Sequence, residues 1–189
     1  NADLTRGPFQ ASMPRNGLVI QNADGTMGQT VSGGGGATLM NTSAGGWLWG
    51  GDQRLQGSTI QKFYMRMTGG GWGQAVGVEL RTIPTGSVGS PGTYGDLTGQ
   101  LPADVRSCGA QGVSGHCTLW GMALADHGAY TYVYGADVSA GGKDLKIARV
   151  PQGDFSGPWQ YWTGSGWSSS QSDAIATGAV ANEAMSVTY

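Results

Sequence analysis

The sequence predicts an all-β fold assembled from repeated antiparallel strand sets, and three observations predict it. Glycine is extreme, at 36 of 189 residues against about 7% in an average protein, and it follows no Gly-X-Y period, which excludes a collagen helix. Short runs in which apolar and polar residues alternate, bounded by Gly, Pro, Asn and Asp, recur along the chain, as strands and turns require. A Trp-Gly core appears in Gly46-Trp47-Leu48-Trp49-Gly50-Gly51-Asp52 and again in Leu119-Trp120-Gly121-Met122, with a weaker echo in Asn182-Glu183-Ala184-Met185-Ser186-Val187. Units of about 60–70 residues with about four short strands each are the pattern of a β-propeller, whose blades would begin at these motifs. The other fold compatible with strong turns is a β-sandwich. Repetition of Trp-Gly, and of Arg shortly before Ile-Pro or Val-Pro, favours the propeller.

Composition narrows the function. The apolar fraction of 39% and seven Trp leave enough to bury, which excludes disorder. Charged residues make up only 12%, about half the usual share. A net charge of −2 carries no basic footprint for nucleic acid. No run approaches 18 apolar residues, so no membrane-spanning helix is expected. The two cysteines, Cys108 and Cys117, bracket a short Gly-rich segment. A disulfide there closes a small loop, stabilising by roughly 2–3 kcal/mol in the chain-entropy model, and implies an oxidising compartment. The rival reading, metal-binding thiols, matches no common zinc spacing, and His116 still leaves the ligand set short of four. No metal or cofactor is expected, and the location is expected to be extracellular.

Residues 1–16 are irregular, broken by Pro8 and Pro14. Leu18 to Gln21 and Thr26 to Val31 read as a hairpin around Asp24-Gly25, whose residues suit the turn. Residues 46–84 read as one strand set. Trp47 and Trp49 share a side of its first strand, and Ile60, Lys62, Tyr64 and Arg66 alternate with Gln61, Phe63, Met65 and Met67 in the second. Val76, Val78 and Leu80 share a face of the third, opposite Glu79 and Arg81. Residues 86–118 read as a loose insert. The pattern resumes over 119–155, with Tyr130, Tyr132 and Tyr134 on one face of a strand. A following strand, Asp144 to Pro151, has Leu145, Ile147 and Ala148 apolar and Lys146 and Arg149 exposed. Trp159 to Trp167 reads as an aromatic hairpin outside that strand. The expected blade parts are 1–45, 46–118, 119–181 and a start at 182–189. Parts of about three blades cannot close a ring, so the expectation is a domain completed by further chain segments or by copies.

Several of these stretches resemble one family. They are Tyr132-Val133-Tyr134-Gly135 with Leu145-Lys146-Ile147-Ala148-Arg149-Val150-Pro151, then Gly157-Pro158-Trp159-Gln160-Tyr161-Trp162-Thr163-Gly164-Ser165-Gly166-Trp167, Trp47-Leu48-Trp49-Gly50-Gly51-Asp52, and Asn182-Glu183. Together they look like the secreted five-bladed propellers, of the domain-of-unknown-function type, that include endo-D-arabinanases. Those are similar in architecture to the arabinanase and fructosidase propellers. The resemblance covers most of residues 40–189. It implies a glycoside-hydrolase-like domain acting on a furanose polysaccharide such as arabinan, and an earlier first strand bearing an acidic residue that precedes this sequence.

Glycoside hydrolysis uses two carboxyl groups across the scissile bond, one ionised and one protonated. Asp52 and Glu183 fall at inner-strand starts of different blades and form the candidate catalytic pair. The competing reading is that Asp52 caps a turn after two Gly and that Glu183 is a solvated strand end. Trp47, Trp49 and Trp120 can stack on sugar rings, though packing between blades is the commoner use of such Trp. Arg15, Asn16 and Asn182 are candidates for hydrogen bonds to substrate hydroxyls. His127 reads as a solvated turn residue, and two loop histidines make no Ser-His-Asp arrangement. The alternative to an enzyme is a non-catalytic carbohydrate-binding propeller, or a structural propeller in an assembly.

Overall fold

The structure, a computed structural model, describes residues 18–21, 24–31, 46–69, 74–90, 93–108, 117–139, 142–181 and 187. The described residues are all-β, with one helical turn, α1 (Ala103–Arg106), and three short 3-10 turns. β1 (Leu18–Gln21) and β2 (Met27–Val31) form an antiparallel hairpin. Asp24 Oδ1 closes its turn by accepting from Thr26 N at 2.9 Å, the side-chain-to-backbone bond that makes Asp a turn residue.

Two antiparallel meanders follow. The first runs β3 (Trp47–Gln56), β4 (Thr59–Thr68), β5 (Gln74–Pro84) and β6 (Gly95–Asp96), each beside the next. The second runs β7 (Thr118–His127), β8 (Tyr130–Asp137), β9 (Asp144–Pro151), β10 (Gln160–Trp162) and β11 (Trp167–Ser168) in the same order. Neither sheet closes on itself among the described residues.

Alternation along β4 and β5 gives the first sheet two different faces. Phe63, Met65, Val78 and Leu80 form the apolar one, with Phe63 opposite Leu80 and Met65 opposite Val78. It packs on the inner face of the second sheet, in a cluster that contains Phe63, Val78, Leu80, Trp120, Leu124, Val133, Ala148, Val150, Trp159 and Tyr161. On the other face Leu48 and Tyr64 meet Val31 of β2.

The expected loose insert is anchored along the β5 edge. Leu97 N donates to Leu80 O at 2.9 Å, and Cys108 N donates to Val76 O at 3.1 Å. Leu101 and Val105, between those bonds, are buried in the core. Covering an edge in this way removes the unpaired backbone groups that would otherwise recruit another strand. Cys108 and Cys117 are joined by a disulfide, which ties this segment to the start of β7.

One expectation for β9 is overturned. Lys146 is buried, because residues 146, 148 and 150 point inward. The ammonium is matched there by Asp137 Oδ2 at 2.7 Å. Burial opposes ionisation of Asp137, but hydrogen bonds from Lys146 and Ser139 outweigh it and hold the carboxyl below its ordinary range. Arg149 is half-buried rather than exposed.

The sheets meet along β3 and β7, and each strand is bulged at its Trp-Gly motif. The β3–β4 register shifts between Gly50 and Gln53, and the β7–β8 register between Trp120 and Ala123. Bulges bend a strand and redirect its side chains. Here they bring Gly51 against Gly121: a Cβ on Gly51 would lie 2.5 Å from Gly121 O, and one on Gly121 2.2 Å from Phe63 Cγ. Lower on the same seam, Arg54 Nη2 pairs with Asp126 Oδ2 at 2.8 Å. Thr131 Oγ1 donates to Asp126 Oδ1 and accepts from Gly153 N at 2.9 Å.

Two measurements probe this seam. Gly121 has φ +84° and no room for a methyl group, so Gly121→Ala should destabilise by about 3 kcal/mol. Gly86→Ala, with nothing within 4 Å, should change stability by less than about 0.5 kcal/mol in the same urea titration. Burial raises the Asp126 pKa, but hydrogen bonds from Arg54, Thr131 and Gln152 and the charge of Arg54 lower it further, for a net decrease. A carboxyl depressed in the folded state contributes stability above its unfolded pKa, which is lost as pH falls through the folded value. Melting temperature should therefore fall between about pH 4 and lower values, and Asp126→Asn should flatten that acid limb.

Candidate functional site

Asp52 sits in the β3 bulge, and the bulge turns its carboxylate toward the second sheet. Oδ2 accepts from Leu124 N of β7 at 2.7 Å, and Oδ1 accepts from Gln53 N at 2.7 Å. Both oxygens are thus held by backbone amides of two strands. Trp49, half-buried, lies opposite Met65 and packs with Trp47 on a cluster that includes Met65, Met67, Leu119, Met122 and the two cysteines. Trp120 is only 1% exposed. Its Nε1 donates to Gln171 Oε1 at 3.0 Å, and its ring meets Tyr161 at 5.5 Å and Trp159 at 6.2 Å. This is core packing, with no ring face open to a ligand. Arg15, Asn16, Asn182 and Glu183 lie outside the described residues, as does His116. His127 ends β7 and is exposed.

Asp52 does not stand alone. Lys62 crosses over Gly50 and donates from Nζ to Gly51 O at 3.0 Å, with Nζ 5.4 Å from the Tyr64 ring centre. Burial pushes the Lys62 ammonium below its ordinary pKa, and the charge of Asp52 partly restores it. Burial pushes the Tyr64 phenol well up, Tyr94 adds to this, and Arg81 opposes it. The Tyr94 hydroxyl donates to Val88 O.

Sequence reasoning placed Glu79 and Arg81 on one face but missed how they combine. Arg81 Nε donates to Glu79 Oε2 at 3.1 Å, and Arg81 Nη1 pairs with Asp96 Oδ2 at 2.9 Å. Glu79 is wholly buried, and its Oε1 meets no hydrogen-bond donor among the described residues. Lys62 lies directly opposite Arg81 across β4–β5, and like charges in that position are unfavourable without nearby carboxylates. The polar face of the first sheet therefore carries Lys62, Tyr64, Glu79, Arg81 and Asp96, and Lys62 reaches from it to the bulge that holds Asp52. Lys62 lies closest to the bulged inner strand, whereas Glu79 and Asp96 both pair with Arg81. Among the described residues no group of three His, Cys, Asp or Glu is placed to hold a metal ion.

The model of a family described as a domain of unknown function (DUF5005) matches residues 1–189. No curated protein matches the chain. A solved structure from Bacteroides ovatus ATCC 8483, titled a "putative hydrolase", is similar with a TM-score of 0.49 and 15% identity over 71% of this chain. The chain spans 36% of that protein's length.

Removing one charge tests whether the Arg81 cluster is structural. Arg81→Ala strands the buried Glu79 carboxylate and should cost about 3–5 kcal/mol. The double variant Glu79→Leu/Arg81→Leu should recover most of that loss in denaturant titration, because no buried charge is then left unpaired.

Proposed function

The chain belongs to the DUF5005 family, and on that premise we propose that it is a secreted, glycoside-hydrolase-like β-propeller domain of the five-bladed type that acts on a furanose polysaccharide such as arabinan. One observation carries the reading. Two consecutive meander sheets each open on a bulged Trp-Gly strand, and the two bulges meet with Asp52 at their junction. Repetition of one sheet design around a common line is how propellers gather side chains from different blades. The blades run over about 46–118 and 119–181, flanked by parts at 1–45 and 182–189, and further chain segments or copies complete the ring. The formed disulfide supports the secreted location, and no helix of the described residues is long and apolar enough to cross a membrane.

In this reading Asp52 is the ionised carboxylate, its orientation fixed by two amide hydrogens. Glu183, from the next blade start, is the proton donor. Lys62 lies beside Asp52 and balances its charge. Trp49 offers a ring to the sugar, Trp120 supports the inner strand from within the core, and Arg15, Asn16 and Asn182 take substrate hydroxyls. Asp52→Asn and Glu183→Gln should each lower polysaccharide cleavage by about 10²–10⁴-fold in protein that still melts cooperatively, Asp52→Asn melting lower because one of its two amide acceptors becomes a donor. Unchanged product release in both variants would remove the pair from the mechanism.

A second reading, a carbohydrate-binding or assembly propeller without catalysis, is favoured by one specific observation. Both oxygens of Asp52 are already committed to backbone amides. It predicts sugar-dependent quenching of Trp fluorescence with no product formed.

A further inference from the structure

The two bulged strands share a design but not its residues. In β3 the bulge holds Gly51 and Asp52, and the first paired residue after it, Gln53, stands opposite Lys62. In β7 the bulge holds Gly121 and Met122, and the first paired residue after it, Ala123, stands opposite Tyr134. At these positions the chain builds one bulge with a carboxylate and a lysine, and the other with neither. A bulge in this molecule therefore forms without a lysine across from it, and Lys62 goes with Asp52.

Lys62 is arranged to hold that bulge. Its stem runs over Gly50, where a Cβ would lie 3.7 Å from Cε. Nζ then donates to Gly51 O at 3.0 Å, the carbonyl of the peptide that joins Gly51 to Asp52. The Tyr64 ring, with its centre 5.4 Å from Nζ, flanks the ammonium. Beyond that peptide the Asp52 side chain meets two further restraints, Leu124 N on Oδ2 and Gln53 N on Oδ1, each at 2.7 Å. A carboxylate keeps its direction only if the backbone that carries it is itself fixed, and the bond from Lys62 fixes the peptide immediately before it. Burial works against an ammonium here, and an apolar side chain of the same length would avoid that cost. The donor is kept at a position where packing alone favours a Met.

We propose that Lys62 is the positioning residue of the Asp52 site, fixing the Gly51–Asp52 peptide so that the carboxylate stays aimed at the junction of the two sheets. It acts through Asp52 and not on the sugar. The inference rests on the reading above for what Asp52 does, but not for how Asp52 is held.

Amide hydrogen exchange of the whole chain, followed by NMR, tests it at the Leu124 and Gln53 N–H groups that donate to Asp52. Lys62→Met keeps the stem and removes the donor. It should speed exchange of both amides about tenfold and leave Val133 and Ala148, paired inside the second sheet, unchanged. Lys62→Arg, which keeps a donor, should restore most of the protection, and a cooperative melt of each variant confirms folding. Unaltered exchange at Leu124 and Gln53 in Lys62→Met overturns the proposal. Equal acceleration at all four amides overturns it as well, because Lys62 then supports the fold at large. In arabinan cleavage Lys62→Met should lower kcat about tenfold with KM nearly constant, and Lys62→Arg should fall between. A raised KM at constant kcat would place Lys62 on the sugar and end the positioning role. If the unaltered chain cleaves no arabinan, the enzymatic reading fails, and exchange at the two amides still decides whether Lys62 holds Asp52.

Discussion

Two strands can approach this closely only where neither has a side chain, and the molecule depends on that approach. Gly51 and Gly121 face each other across the seam, and the Asp52 carboxylate then reaches the Leu124 amide of the neighbouring sheet. Leu124 lies on β7, the edge strand of the second sheet, and an edge N–H taken from water without an acceptor is costly. Asp52 supplies the acceptor. The Arg54–Asp126 pair and the disulfide reinforce a junction that the bulges had already positioned.

The first sheet shows how one strand can serve two environments. Phe63, Met65 and Met67 alternate with Lys62, Tyr64 and Arg66 in β4, giving an apolar face toward the second sheet and a polar one toward β2. The polar face keeps its charges tolerable by sharing. Arg81 serves two carboxylates, and Lys62 rests between a carbonyl oxygen, Asp52 and an aromatic ring. Such a network is sensitive where a partner is buried, as Glu79 is. That sensitivity separates the cluster from a solvated charged surface, where single substitutions matter little.

Much of this architecture was legible in the sequence. The Asp24-Gly25 hairpin, the alternation of Thr59 to Met67 and the aromatic hairpin from Trp159 to Trp167 each follow from local chemistry, and each is observed. The pairing of Cys108 with Cys117 follows from their closeness in the chain. Lys146 was misjudged because its partner, Asp137, lies on the adjacent strand, and only register brings the two together. Glu79 was placed on the correct face, but its complete burial depends on what covers β5, which alternation does not specify. Asp52 was legible as special and not as a bridge, because the amide it accepts from belongs to a residue far along the chain. The segment after β5 looked structureless, since its order comes from docking on an edge rather than from any periodicity of its own.

That docked segment bears on how the polypeptide can be divided. Leu101 and Val105 are part of the same core as Phe63 and Trp120, and Cys108 is bonded to the start of the second sheet. A stretch rich in Gly, Ser and Pro between two strand sets has the look of a linker, the usual place to cut a protein into modules. Here it is the mortar between them. Neither meander owns a core that would survive separation, because the apolar face of each is the lining of the other. The smallest heritable unit of this design is therefore the pair of sheets with its connecting segment, and shuffling or truncation that breaks within residues 97–117 divides one hydrophobic interior rather than releasing two.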